Sequence, residues 1–169
     1  MTVHNPNPYT IKKMLPEAWQ AYKAIRLEAL SSNPEMFGSN FQKESGYTDE
    51  QWISFLSKTS RALFGLYYAD ELVGLTAVSQ QADNPQKAIL YASYIRAAHR
   101  GQGLTNLFFE ARIAWARHIG CTSLSVSHRA GNEASKAAIL GHKFSFTRAE
   151  KITWPDGHEA DEVFYNRPL

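Results

Sequence analysis

The sequence predicts an α/β fold: one domain built on a mixed, predominantly antiparallel sheet flanked by helices. Three observations predict it. Apolar residues at helical spacing alternate along the chain with β-rich runs. Two pairs of β-rich runs are joined by short turn sequences, as in hairpins. One almost continuously apolar run, Ala88 to Ile95, reads as a central strand covered on both faces and leads through a glycine turn into an amphipathic helix.

Taken in order, residues 1–8 are polar, carry Pro6 and Pro8, and are expected to fray. Tyr9–Met14 suits a first strand. Pro16 fits the first turn of a helix, where its missing N–H costs little. Trp19, Tyr22, Ile25, Ala29 and Leu30 then recur at helical spacing, so Pro16–Ser31 reads as that helix, and Asn33-Pro34 ends it. Pro34–Tyr47 reads as irregular; its Met36, Phe37 and Phe41 are either core packing or a pocket wall, with packing preferred. Thr48-Asp49-Glu50-Gln51 is a capping box that starts a helix through about Leu56. Leu63–Tyr68 and Leu72–Ser79 form a hairpin-like pair, and Gln80–Gln86 a polar loop. After the central strand, Leu104, Leu107, Phe108, Ala111, Trp115 and His118 share one helical face, and Gly120 sits at a helix C-terminus. Ser123–Ser127 is a short strand and Asn132–Leu140 a short helix. Phe144–Thr153 and Glu159–Tyr165 flank the turn Trp154-Pro155-Asp156-Gly157 as a final hairpin.

The 169 residues fit a single domain, residues 1–169, with a substantial core. A net charge of +2 argues against a dedicated nucleic-acid binder. No apolar run approaches the ~20 residues that span a membrane. Cys121 is the only cysteine, and the first ten residues lack the features of a signal peptide, so a reducing cytoplasm is expected. The six histidines show no HxxxH or HxH pairing, which argues against a metal site.

Arg100-Gly101-Gln102-Gly103 joins the strongest strand signal of the chain to its strongest helix signal. Glycines there let backbone N–H groups converge, and the helix N-terminus adds partial positive charge, worth roughly 0.3–1 kcal/mol per anion contact. Arg96, His99 and Arg100 add side-chain donors. A diphosphate is the natural ligand, and a plain tight turn is the alternative. A dinucleotide fingerprint would need glycine where Asn106 stands, and a P-loop would need Gly-Lys-Ser/Thr where the chain has Gly103-Leu104-Thr105.

Ile95 through Thr105, IRAAHRGQGLT, resembles the acyl-CoA-binding motif of the GNAT N-acetyltransferase superfamily: Arg or Gln, two residues, Gly, one residue, then Gly or Ala. Arg100 and Gly103 match it. Thr105 departs from the small residue, so its side chain either crowds the phosphate or donates a hydroxyl to it. Asn132-Glu133-Ala134 is similar to the family's helix-opening Asn. The resemblance covers residues 62–146, with weaker echoes at RLEALSSNPEMFGS and at Asp161-Glu162. It implies splayed central strands with acetyl-CoA as co-substrate and no metal. Ile95, Arg96, Ala97, Arg100, Gly101, Gln102, Gly103, Leu104, Thr105, Asn132 and Ser135 would hold the cofactor, and a backbone N–H near Tyr94 or Ile95 would polarise the thioester carbonyl.

The activity implied is acetyl transfer to a primary amine by direct attack. The acceptor is a small molecule or a peptide, and a homodimer is allowed. Keeping an amine of pKa ~10.4 neutral at pH 7 costs about 4.6 kcal/mol, which calls for a base. The central strand carries no carboxylate, so Glu28, Glu35, Tyr91 and Tyr94 are the candidates. Glu28, Glu35 and Glu44 could attract a cationic amine. Relatives often carry a tyrosine as general acid where this chain has Ile139, and His142 is the nearest titratable substitute in sequence. The alternative is a non-catalytic acyl-CoA-binding or sensing protein on the same fold.

Overall fold

The computed structural model describes residues 7–169. Its strands are β1 (Tyr9–Lys13), β2 (Arg61–Tyr68), β3 (Glu71–Gln81), β4 (Asn84–Ile95), β5 (Ser123–Arg129), β6 (Ser145–Thr153) and β7 (Glu159–Pro168). They form one seven-stranded sheet in the order β1-β2-β3-β4-β5-β7-β6, in which β4 and β5 alone pair in parallel. The mixed, mostly antiparallel sheet expected from the sequence is thus present. The helices are α1 (Trp19–Ser32), α2 (Phe41–Ser45), α3 (Asp49–Ser57), α4 (Thr105–His118) and α5 (Glu133–Gly141). Helices α1–α3 cover one face, with Tyr22, Ile25, Trp52, Leu63, Leu75 and Tyr94 in their core. Helices α4 and α5 cover the other, over Phe64, Leu90, Phe109, Leu124, Ile139 and Tyr165. No helix of the described residues is long and apolar enough to cross a membrane.

Local chemistry sets the element ends. The capping box is formed: Thr48 Oγ1 accepts from Gln51 N at 3.2 Å and Gln51 Oε1 accepts from Thr48 N at 2.8 Å, worth about 1 kcal/mol. It presents Trp52, fully buried, to α1. The expected N-terminal fraying falls mostly on residues 1–6, outside the described residues. Pro8 is tied to the sheet edge, its carbonyl accepting from Ala69 N at 2.9 Å.

Three elements differ from the sequence reading. Within Pro34–Tyr47 the chain makes a further helix, α2, which Asn40 caps by accepting from Lys43 N. Its Glu44 is buried and accepts two hydrogen bonds from Arg26 of α1, at 2.9 and 2.8 Å. That pair gives a five-residue helix an anchor its composition does not advertise. The Gln80–Gln86 loop is replaced by a tight hairpin, because β3 and β4 pair as far as Gln81 opposite Asn84. Pro85 is tolerated at the start of the strand.

The buried face of α4 is also rotated. Leu104, Phe108, Phe109, Arg112, Ile113 and Ala116 are buried, whereas Leu107, Ala111 and Trp115 are half-buried and His118 is exposed. An apolar periodicity skips Arg112 because it is charged, yet Arg112 is 2% exposed. Its Nε donates to Phe108 O at 3.1 Å, its Nη1 donates to Ser93 Oγ at 3.2 Å, and its guanidinium lies over the Phe109 ring. Burial lowers its pKa to about 9, which leaves it charged at neutral pH.

Candidate active site

The site begins where two strands part. β4 and β5 pair only from Lys87↔Ser123 to Leu90↔Val126. Beyond that, β4 follows β3 to Ile95 while β5 follows β7 to Arg129. A β-bulge lies in β4 at the fork: Ala77 pairs with Tyr91 but Leu75 pairs with Tyr94, so β4 carries one extra residue. Ala92 within it has φ +59°. The bulge breaks the period-2 alternation, so Tyr91 and Tyr94 both face α1–α3. At the strand's end Arg96 N donates to Val73 O on β3. Strand geometry then turns the N–H and C=O of Ile95 the other way, into the fork.

A cavity of about 870 Å³ runs through the fork from one face of the sheet to the other. On the α4–α5 side it is lined by Arg100, Gly101, Gly103, Leu104 and Thr105, and by Asn132 and Ser135. Gly101 and Gly103 have φ +76° and +72°. Among the described residues, no protein acceptor receives the backbone N–H groups of residues 101–105, and α4 has no side-chain cap. A row of unpartnered amides at a helix N-terminus is an anion cradle. A Cβ at either glycine would meet no protein atom closer than 3.8 Å, so backbone conformation, more than crowding by the protein, calls for glycine there.

The side chains of this segment do not all point into the cradle. Arg100 folds back: its Nε donates to Ile95 O at 2.6 Å, its Nη2 to Asn33 Oδ1 at 2.9 Å, and its guanidinium lies over the Tyr94 ring. Arg96 is committed to Glu28 and Glu71, at 2.9 and 2.8 Å. Gln102 donates to the Tyr9 hydroxyl, which bonds His99 Nδ1 at 2.7 Å. Arg96, Ala97 and Gln102 are not part of the cavity wall. Asn132 caps α5, its Oδ1 accepting from Ser135 N at 3.1 Å, which leaves its amide N–H groups for a ligand.

The candidate acid–base residues separate. Tyr94 lines the cavity, but its hydroxyl donates to Glu28 Oε2 at 2.8 Å. Burial, and then Glu28, raise its pKa. Glu28 lies outside the cavity wall, and hydrogen bonding from Arg96 holds its carboxyl below the usual range. Tyr91 lines the cavity with its pKa raised by burial. Glu35 contributes its carbonyl to Arg129 at 3.4 Å. Burial alone would raise the Glu44 carboxyl, but Arg26 outweighs it and the pKa is lowered. His142 is not at the cavity. Its ring stacks on Phe109 at 3.9 Å, and Nδ1 donates to Ala138 O. Ile139, 1% exposed, fills core between α5 and the sheet.

Residues outside the expected site list complete the other side. Phe37, Ile152 and Trp154 wall the cavity, with Ser127, His128, Arg129 and Glu162. Ser127 Oγ donates to Glu162 Oε2 at 2.6 Å. His128 Nδ1 donates to Arg129 O, so its Nε2 accepts from the Tyr165 hydroxyl at 3.0 Å. Arg129 bonds Asp156 Oδ2 at 2.7 Å and lies over Trp154. Hydrogen bonding from Arg129 lowers the Asp156 pKa to about 2. The sequence marked Glu162 only through the weak echo at Asp161-Glu162; its place on the cavity wall needs β5 and β7 correctly paired.

Residues 19–142 match the acetyltransferase (GNAT) family. The chain belongs to the GNAT acetyltransferase family. Solved structures of GNAT acetyltransferases share its fold at low identity. An acetyltransferase of the family from Streptococcus pneumoniae is similar at TM-score 0.82 and 17% identity, over 95% of this chain and 99% of that one. yncA from Salmonella typhimurium, solved with its cofactor acetyl-CoA, is similar at TM-score 0.80 and 17% identity, over 96% and 95%. An acetyltransferase that modifies the N-terminal serine of ribosomal protein L7/L12, also from Salmonella typhimurium, is similar at TM-score 0.74 and 13% identity, over 97% and 96%. No curated protein matches the sequence. In this GNAT acetyltransferase the parting of β4 and β5 and the glycine turn before α4 are carried by this chain's own residues.

Proposed function

We propose that this acetyltransferase moves an acetyl group from acetyl-CoA to a primary amine by direct attack, with no covalent enzyme intermediate. The observation that carries the reading is the row of unpartnered amides from Gly101 to Thr105 opening into a forked sheet. The cradle suits the diphosphate of CoA, and the amide N–H groups of Asn132 suit the pantetheine arm. When bound, acetyl-CoA supplies a thioester whose carbonyl is open to nucleophiles. The Ile95 N–H, aimed into the fork, is the donor for that carbonyl oxygen. The Ile95 carbonyl is held by Arg100, so pairing of the arm with that oxygen requires the Arg100 side chain to move.

No group of three or more potential metal ligands occurs among the described residues, and the reading uses none. Cys121 is buried with its thiol pKa raised by burial, which suits a core residue better than a nucleophile. Calorimetry tests the first step: acetyl-CoA should bind, and absence of binding at millimolar ligand refutes the reading. Thiol release across an amine panel tests the second. Binding without turnover would favour a sensing protein on the same fold, a reading supported by Ile139 in place of an acidic tyrosine.

A further inference from the structure

We propose that Glu162 is the carboxylate that receives the acceptor amine, and that the acceptor is a monoamine with an apolar body. The proposal rests on the acetyl transfer proposed above. Among the described residues lining the cavity, Glu162 is the one Asp or Glu. Three carboxylates of the surrounding elements are committed elsewhere: Glu28 to Arg96, Glu44 to Arg26, and Asp156 to Arg129. Among the described residues Glu162 has only Ser127, on Oε2, which leaves Oε1 without a partner there.

Its position follows from register. Ser127 comes directly after Val126, the last β5 residue paired with β4. The 2.6 Å hydrogen bond therefore holds Glu162 at the mouth of the fork, where the thioester would lie. Arg129 is opposite Glu162 on β5, but Asp156 and Trp154 occupy its guanidinium. Glu150 is opposite on β6 and bonds Arg148. Neither neighbour neutralises Glu162 by direct contact. Phe37, Tyr91, Ile152 and Trp154, which line the same cavity, are apolar or aromatic. One carboxylate in a cavity so lined suits a single ammonium on a hydrophobic body; a polyamine's second ammonium finds no second carboxylate there.

The step balances. The ammonium gives one proton to Glu162 Oε1. The freed nitrogen lone pair forms the C–N bond to the acetyl carbon, and the C–S bond breaks with its electron pair leaving on sulfur. The sulfur takes the second proton from nitrogen, and Glu162 returns its proton to solvent. The products are an amide, CoA thiol and one proton.

Phenethylamine, spermidine and phenylalanine are compared as acceptors by thiol release between pH 6 and 10. Phenethylamine should be preferred. Glu162→Gln should lose roughly 10²–10⁴-fold in kcat/KM at pH 7, with acetyl-CoA affinity unchanged, and the loss should shrink toward pH 10 as the amine deprotonates in solution. Glu162→Asp should recover part of the rate. A Glu162→Gln loss below threefold, a loss equal at all pH values, or a preference for spermidine or phenylalanine overturns the proposal. Should acetyl-CoA fail to bind, the transfer reading falls by itself. Phenethylamine titrated into the ligand-free protein and its Glu162→Gln variant then decides: binding that the variant loses upholds the amine site, and no binding overturns it.

Discussion

Gly101 and Gly103 act through φ, since a Cβ at either would meet no atom closer than 3.8 Å. An alanine at 103 should cost about 1–2 kcal/mol if the left-handed conformation is kept. Gly103→Glu adds a side chain and a negative charge beside the unpartnered amides. It is expected to abolish acetyl-CoA binding in calorimetry, with Gly103→Ala losing less; unchanged affinity in a folded Glu variant would move the diphosphate elsewhere. These glycines were readable in the sequence because a left-handed turn leaves a residue-type signature. The burial of Arg112 and the aim of Glu162 into the fork were not. A charged residue reads as solvent-facing until the neighbours that bury or aim it are known, and those neighbours, Ser93 and Ser127, lie 19 and 35 positions away.

At the scale of elements, the bulge in β4 decides which side chains meet the fork. It brings Tyr91 and Tyr94 to one face and costs a left-handed Ala92. Ala92→Val should destabilise by about 1–2 kcal/mol, because a β-branched residue resists positive φ. Ala92→Gly should leave stability equal or raise it, and urea unfolding separates the two. Equal midpoints for Val and Gly would mean that the bulge bears no strain. The sequence announced β4 through its apolar run, but a bulge adds one residue without changing composition. The shift of the α4 face has a similar origin, since Arg112 occupies a core position that a hydrophobic pattern omits.

Across the whole molecule, Arg129 ties its own strand, β5, to two distant segments: the Glu35 carbonyl after α1, and Asp156 in the β6–β7 turn. Arg129 itself lines the cavity, on the side away from the glycine turn. The folded Asp156 pKa, about 2, lies below its usual 3.8. Its contribution to stability is therefore full above about pH 4 and lost as pH falls through about 2. The thermal midpoint of Asp156→Asn should lie below that of the parent near pH 6 and converge with it near pH 2. A gap that persists at pH 2 would show that the asparagine perturbs the turn by other means.

The sequence by itself determined the α/β class, the capping box, the final hairpin turn and the glycine turn before α4. Each is a local signal, carried by residues within a few positions of one another. Tertiary structure alone decided that β4 and β5 part after Leu90 and Val126, and that Tyr94 belongs to Glu28. It also decided that His142 packs on Phe109 and that Glu162 reaches the fork through Ser127. Those facts depend on strand register and on which element covers which face, and no spacing along the chain encodes them.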